Sequence, residues 1–153
     1  VDRVEMINGH GDVSLRGKHE FEVAYRSVKG MTGEWFLSAQ LKLQKGNSEA
    51  SQQHIKALLE KRNATQPTNK PTCGSVFKNP SGDYAARLIE ACGLKGYQVG
   101  GAVVSEKHAN FIENQGGATA RDIETLIELI QNRVRNQFGI ELQTEVCRVG
   151  ENA

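Results

Sequence analysis

The stretch Q-P-T-N-K-P-T, residues 66–72, separates two halves of the sequence that have different hydrophobic patterns. It contains two of the three prolines in the chain, and proline interrupts helices and central strands. The residue before each proline is also biased away from helical backbone. We therefore expect an extended connection here and place a domain boundary at it.

On the N-terminal side of this connection, residues 1–45 read as β-structure. Glycine-rich residues 8–12 separate two short apolar runs and predict a hairpin, and residues 35–44 show strong alternation between apolar and polar side chains. A helix is expected to follow, with Ser48 as its N-cap. The residues predicted to mark its buried side are Ile55, Leu58, Leu59 and Arg62.

On the C-terminal side the pattern changes to mixed helix and strand. Thr119 and Asp122 have the spacing of a capping box, and Gly139 ends the apolar stripe of the helix that they begin. Together the two halves predict an α+β fold. The elements expected in this half are strands at 75–77, 97–104, 111–113 and 140–149, and helices at 84–92 and 119–139.

Composition excludes several classes of protein. The 19 Lys and Arg residues nearly balance the 18 Asp and Glu residues, which argues against a nucleic-acid or anionic-membrane partner. No apolar run approaches the roughly 18 residues that a membrane-spanning helix needs. The three cysteines are widely spaced, which indicates free thiols in a reducing cytoplasm rather than a disulfide framework or a metal site.

The densest polar motif is C-G-S-V-F-K-N-P, residues 73–80. Gly74 would let a ligand approach the backbone, and Ser75, Lys78 and Asn79 add a hydroxyl, an ammonium and an amide. The order of residues differs from that of a phosphate-binding Walker loop. On spacing alone, a strand that ends at a proline and carries a surface lysine is the favoured interpretation.

A second polar motif is G-G-A-V-V-S-E-K-H-A-N-F, residues 100–111. Paired glycines in a strand often mark a bulge or a close approach to a ligand. His108 and Asn110 are placed where polar side chains meet such a ligand, although a solvated turn is the commoner setting for a lone histidine.

Arg26 and Glu145 are charged residues within strand-like segments, and the solvated face is the default position for both. The residues by themselves thus predict a two-part α+β protein with a polar, glycine-lined face for an oxyanion-bearing ligand. They leave the reaction open.

Three long motifs occur in order: G-S-V-F-K-N-P at 74–80, L-K-G-Y-Q-V-G-G-A-V-V-S-E-K-H-A-N-F-I at 94–112, and F-G-I-E-L-Q-T-E-V-C-R-V-G at 138–150. Together with Tyr25-Arg26 they resemble the MurB family of UDP-N-acetylenolpyruvoylglucosamine reductases. The chain is similar to the shorter subgroup of that family, because no tyrosine-bearing loop is inserted between Ala39 and Arg62.

The resemblance implies a two-lobed FAD-binding domain of the vanillyl-alcohol-oxidase type, followed by an α+β substrate-binding domain. Residues 1–66 would finish the FAD-binding domain, residues 67–139 would form the substrate-binding domain, and residues 140–153 would return as a strand to the flavin face. The implied reaction uses NADPH and FAD to convert UDP-N-acetylglucosamine enolpyruvate to UDP-N-acetylmuramate, a peptidoglycan precursor.

The same resemblance implies site residues. Ser75 matches the proton donor, Glu145 the catalytic glutamate and Arg26 the catalytic arginine, while Arg26 and Gly74 are expected beside FAD. Gln66 stands where some members carry a phosphate-contacting lysine, which leaves Lys78 or another group to compensate. The residues implied to contact the UDP-sugar are Asn79, Lys78, His108 and Gln66.

The first lobe of the FAD-binding domain is expected to precede Val1, so the 153-residue chain is expected to be inactive and to bind FAD weakly or not at all. One alternative is a related flavin oxidoreductase with another substrate. A second is a non-catalytic domain that holds a nucleotide-sugar without flavin. The sequence leaves the oligomeric state open.

Overall fold

The computed structural model describes residues 1–150, and within them helices and strands are mixed, which confirms the α+β prediction. The chain divides into two compact units, Val1–Ser51 and the residues from Gln52 onward. The predicted boundaries at 66/67 and 139/140 concern the domains of a complete enzyme, and they stay a prediction.

The first unit is built from five short antiparallel strands, as predicted for residues 1–45. β1 lies between β2 and β5 in one sheet, and β3 and β4 form a separate hairpin. The predicted hairpin at 8–12 is confirmed, since the Asn8 side chain accepts hydrogen bonds from the backbone of His10 and Asp12. The strands are β1 (Arg3–Asn8), β2 (Val13–Gly17), β3 (Glu22–Ala24), β4 (Ser27–Lys29) and β5 (Glu34–Gln40).

The first helix, α1 (Ser48–Thr65), forms where the sequence predicts it but differs in two respects. Its cap is Asn47 rather than Ser48, because Asn47 Oδ1 accepts a hydrogen bond from Ala50 N at 2.9 Å. Its predicted buried side is exposed, so that prediction was wrong for Ile55, Leu58, Leu59 and Arg62. Periodicity indicates which face of a helix would be buried, but not whether a covering surface is present.

The second unit contains α2 (Ala85–Ala91), α3 (Ala120–Phe138) and the antiparallel sheet β6 (Gln98–Val99), β7 (Ala102–Val104) and β8 (Ile112–Asn114). The capping box of α3 is confirmed: Thr119 Oγ1 accepts from Asp122 N at 3.1 Å, and Asp122 Oδ2 accepts from Thr119 N at 2.9 Å. Gly139 ends the helix, also as predicted. The largest fully buried residues of its core include Phe77, Leu88, Ile89, Leu126, Ile130 and Leu142.

Three strand predictions need correction. The predicted strand at 97–104 is two strands, β6 and β7, joined by a turn at Gly100 and Gly101. The predicted strands at 75–77 and 140–149 are irregular segments that share one isolated antiparallel bridge, between Phe77 and Thr144. Hydrogen bonds between the buried Asn110 side chain and the Phe77 backbone replace much of the expected strand pairing.

Candidate functional site

Residues 71–78 cross from one part of the second unit to another. At the start of this path, Thr72 bridges to Glu113, and Pro71 O accepts a hydrogen bond from Asn114 N at 3.0 Å, so the segment lies along the edge of β8. Gly74 then adopts a left-handed conformation with φ of 82°, which redirects the chain. Ser75 therefore lies between the edge of β8 and the segment at 143–146.

Glu145 comes next to this serine through an irregular pairing. Glu145 N and Val146 N both donate to Val76 O, at 2.8 and 3.4 Å. Two residues opposite one is the arrangement of a β-bulge, which redirects a side chain and is common beside active sites. The structure thus brings the segments of Ser75 and Glu145, far apart in sequence, to adjacent positions.

Asn110 holds the other side of the same segment. Its side chain is 4% exposed, accepts from Phe77 N at 3.0 Å and donates to Phe77 O at 2.8 Å, while its backbone carbonyl accepts from Val76 N at 2.9 Å. The ligand contact considered for Asn110 was therefore wrong, because both ends of its amide bind the backbone. The signal that sequence reasoning missed is an asparagine inside an apolar run, since a buried amide requires partners.

Lys78 and Asn79 follow the bridge and line one shallow cavity of about 290 Å³, together with Pro80, Ser81, Glu141 and Gln143. Asn79 Oδ1 also accepts a hydrogen bond from Ala85 N at 3.1 Å, so this side chain caps the start of α2 from outside the helix. This capping role was not predicted from the sequence. Asn79 therefore combines a place at the cavity with a cap that fixes its orientation.

His108 is half-buried, and its ring packs edge-on against Phe111 with 4.8 Å between centroids. Burial lowers the pKa of the imidazole, and Asn110 N donates to Nδ1 at 3.3 Å. A neutral ring that accepts at Nδ1 carries its proton on Nε2. The geometry therefore makes His108 a hydrogen-bond donor rather than a cation near neutral pH.

The paired glycines make room for a helix, which corrects the interpretation of a close approach to a ligand. A Cβ on Gly100 would lie 2.4 Å from the Asp122 carboxyl carbon, and one on Gly101 would lie 2.4 Å from Ala118 N. Hydrogen bonds from the Thr119 backbone and side chain, and from the Gly101 backbone, lower the pKa of Asp122. The hairpin tip thus packs against the start of α3.

Gln66 is half-buried just after α1, where its backbone N–H donates to Arg62 O at 2.9 Å. Lys107 donates to the carbonyl of Asn63 in the last turn of α1, which ties the end of this helix to the turn that carries His108. The regions of Gln66 and His108 are therefore linked within the second unit.

Arg26 belongs to the first unit. It is exposed in the two-residue turn between β3 and β4, and its guanidinium lies 5.8 Å from the centroid of the Tyr25 ring. Its φ of 53° is unusual for a residue with a side chain, and such strain is often retained at functional sites. The tight two-residue turn between β3 and β4 accounts for this left-handed conformation.

Two further observations apply to residues 1–150. They contain no cluster of three or more His, Cys, Asp or Glu side chains placed to hold a metal ion. Every helix in this part of the chain is too short or too polar to traverse a lipid bilayer.

Comparison with known proteins places these features in a family. The family model for the C-terminal domain of UDP-N-acetylenolpyruvoylglucosamine reductase matches residues 66–149. The reductase of that name from Legionella pneumophila strain Corby is 60% identical over 152 residues, covering 99% of this chain and 49% of the relative. That from Methylococcus capsulatus is 58% identical over 151 residues, covering 99% and 50%.

The fold agrees with these similarities. The crystal structure of UDP-N-acetylenolpyruvylglucosamine reductase (MurB) from Thermus caldophilus superposes with a TM-score of 0.79 at 32% identity. The match covers 95% of this chain and 52% of that structure. The chain thus spans about half the length of the relatives that it matches.

Proposed function

Since this chain belongs to the UDP-N-acetylenolpyruvoylglucosamine reductase (MurB) family, we propose that it supplies the substrate-facing residues of such a reductase. The substrate is UDP-N-acetylglucosamine enolpyruvate, the product is UDP-N-acetylmuramate, and the cofactors are FAD and NADPH. The reaction belongs to the synthesis of peptidoglycan precursors in the cytoplasm. Residues 1–66 then complete a flavin-binding domain, and residues 67–139 form the substrate-binding domain.

The observation that carries this proposal is the adjacency of Ser75 and Glu145. A glycine-directed turn and a bulged pairing bring a hydroxyl-bearing and a carboxyl-bearing residue onto neighbouring segments, although about half of the chain separates them in sequence. The pairing fits a site in which an acid and a carboxylate act on one substrate.

Two residues would contact FAD, and both offer an approachable surface. A Cβ built on Gly74 meets no atom within 4 Å, so the backbone there is open to a close neighbour. Arg26 is exposed at the tip of its hairpin. When bound, FAD with NADPH as reductant supplies hydride to the terminal carbon of the enolpyruvyl group.

Two tasks would then remain: to stabilise the negative charge of the enolate and to deliver a proton to carbon. The residues proposed for them are Arg26, Glu145 and Ser75. The planar guanidinium of Arg26 neutralises the enolate that forms beside the substrate carboxylate. Glu145 helps to orient the substrate carboxylate and the enolate. The Ser75 hydroxyl gives its proton to the carbon next to the carboxylate, which completes the saturated product.

The cavity beside this segment would hold the UDP-sugar. Lys78 offers an ammonium group to the diphosphate, and Asn79 is fixed beside it by its hydrogen bond to the start of α2. His108 donates from Nε2 to a sugar or phosphate oxygen, as its tautomer permits. Gln66 contributes a neutral amide where some family members have a lysine.

The test separates the two half-reactions in the full-length enzyme by stopped-flow absorbance of the flavin. Ser75→Ala should leave flavin reduction by NADPH close to wild type, whereas reoxidation by the enolpyruvyl substrate should fall by about 10²–10⁴-fold. Ser75→Cys should restore part of the rate, because a thiol is the stronger acid. Ser14→Ala, at an exposed position of β2, is the matched control.

Three outcomes would contradict the proposal. Equal damage to both half-reactions would mean that Ser75 shapes the pocket rather than donating a proton. Binding of the UDP-sugar by the wild-type enzyme without any turnover would favour the non-catalytic alternative. Turnover of a different substrate in preference to this one would favour a related flavin oxidoreductase.

A further inference from the structure

Asn110 is tied to the backbone that directly follows Ser75. One buried residue makes three hydrogen bonds to two consecutive residues: its side chain binds Phe77 N and O, and its carbonyl binds Val76 N. We infer that Asn110 is a positioning residue, which holds the Ser75 hydroxyl in register with the reacting carbon. This inference rests on the role proposed for Ser75.

The chemistry of the carboxamide explains why an asparagine stands here. Its oxygen and nitrogen lie in one plane and present an acceptor and a donor, as a peptide group does. Asn110 therefore makes the hydrogen bonds that one residue of a neighbouring strand would make. It does so at a position where the sheet provides no such strand. Among natural side chains, only asparagine and glutamine carry this neutral pair, and glutamine is longer by one carbon.

The opposite side of the segment is paired less regularly. Residues 76–78 meet residues 143–146 through one isolated bridge, flanked by hydrogen bonds from Lys78 N to Gln143 O and from Glu145 N to Val76 O. The bulge at Glu145 then interrupts the pairing at the residue next to Ser75. Phe77 is 1% exposed, so its ring anchors the segment in the core but does not fix its rotation. The two hydrogen bonds to Asn110 fix that rotation, and proton transfer to carbon depends strongly on such placement.

The first experiment is a double-mutant cycle in the full-length enzyme, with the half-reactions measured separately. Asn110→Ala should slow flavin reoxidation by the enolpyruvyl substrate by about 10²-fold and leave reduction by NADPH close to wild type. In a Ser75→Ala background the same change should have little further effect, because the proton that Asn110 positions is already gone. Asn114→Ala, which removes an amide that holds a turn at Gly116 and Ala118, is the matched control.

The second experiment uses Asn110→Asp, which keeps the shape of the side chain. A protonated carboxyl offers the same donor and acceptor as the amide, whereas an ionised one turns a second acceptor toward Phe77 O. Burial raises the pKa of such a carboxyl, so the reoxidation rate of this variant should recover toward wild type as the pH falls from about 8 to about 5. The other titratable groups on the bonded segments are His108, Lys78 and Glu145. They remain in every variant, so the pH profiles of wild type and Asn110→Ala supply the baseline for the reoxidation rate.

The outcomes distinguish this inference from the proposed function. A wild-type enzyme that fails to turn over the substrate overturns the proposed function and this inference with it. If wild type is active, the inference alone is overturned by equal loss in both half-reactions, by additive losses in the cycle, or by an Asn110→Asp profile that parallels Asn110→Ala. Should Asn110→Ala fail to fold, the pH profile of Asn110→Asp relative to wild type decides.

Discussion

The two units of this chain differ in how they bury their apolar residues. Among residues 1–51, Val4 and Met6 are the buried hydrophobic residues, whereas Trp35 and Leu37 in β5 are 60% and 53% exposed. The second unit has a continuous core in which Leu88, Leu126 and other side chains are fully enclosed. Strand pairing is well formed in the first unit, but burial is extensive in the second.

This difference separates secondary structure from stability. The hydrophobic pattern predicts elements in both units, because alternation and helical periodicity exist whether or not a face is covered. Net stabilisation comes chiefly from apolar area removed from water, while a hydrogen bond that replaces one to solvent contributes little. We therefore expect the two units to respond very differently to matched substitutions.

The largest contrast should come from removing one leucine in each unit. Leu126→Ala empties a fully buried position on α3 and should lower the free energy of unfolding by about 2–5 kcal/mol. Leu37→Ala, on the exposed part of β5, should change it by less than about 0.5 kcal/mol. Urea unfolding of the 153-residue chain, followed by circular dichroism, measures both, and a comparable cost for the two would abolish the contrast.

A smaller contrast should appear at the two helix caps. Thr119→Ala removes the capping box of α3 and should cost about 1 kcal/mol of global stability, since this helix packs on the core. Asn47→Ala removes the cap of α1, which buries none of its residues. Asn47→Ala should reduce the helical circular dichroism signal before the main unfolding transition, without moving the urea midpoint of that transition. A midpoint shift equal to that of Thr119→Ala would show that α1 belongs to the cooperative core.

The smallest effect should be a loss of stability at acidic pH that arises from one carboxylate of the second unit. Hydrogen bonding to the Arg87 side chain and the Tyr84 backbone lowers the pKa of Asp83 from 3.8 to about 2. Because the folded pKa is depressed, its stabilisation is present above pH 3.8 and is lost as the pH falls toward 2. The melting temperature of Asp83→Asn should therefore decline less over that interval than wild type, with Glu128→Gln on α3 as control. Parallel curves would contradict the linkage.

Sequence patterns predicted the regular elements better than they predicted the site. Thr119, Asp122 and Gly139 determine α3 by local chemistry, so its two ends could be identified from neighbouring residues alone. The segments around Ser75 and Glu145 were predicted as strands, but they are held by an asparagine from a distant turn and by a bulge. Neither partner lies within the short stretch of sequence over which hydrophobic periodicity can be detected.

The glycine pair shows a related limit. Gly100 and Gly101 signalled a close approach correctly, but the neighbour is the start of α3 rather than a ligand. A glycine reports that space beside its Cα is needed, while the identity of the occupant depends on tertiary packing. The same ambiguity applied to Asn110, whose amide binds backbone.

The packed hairpin tip also bears on where foreign sequence can be inserted. Loop tips are usually the preferred places for a tag or a spectroscopic label. Between β6 and β7 an added side chain would collide with Asp122 or Ala118, so an insertion there would displace the beginning of α3. At Gly9, between β1 and β2, a Cβ meets no atom within 4 Å, and this loop is the better place for a reporter group.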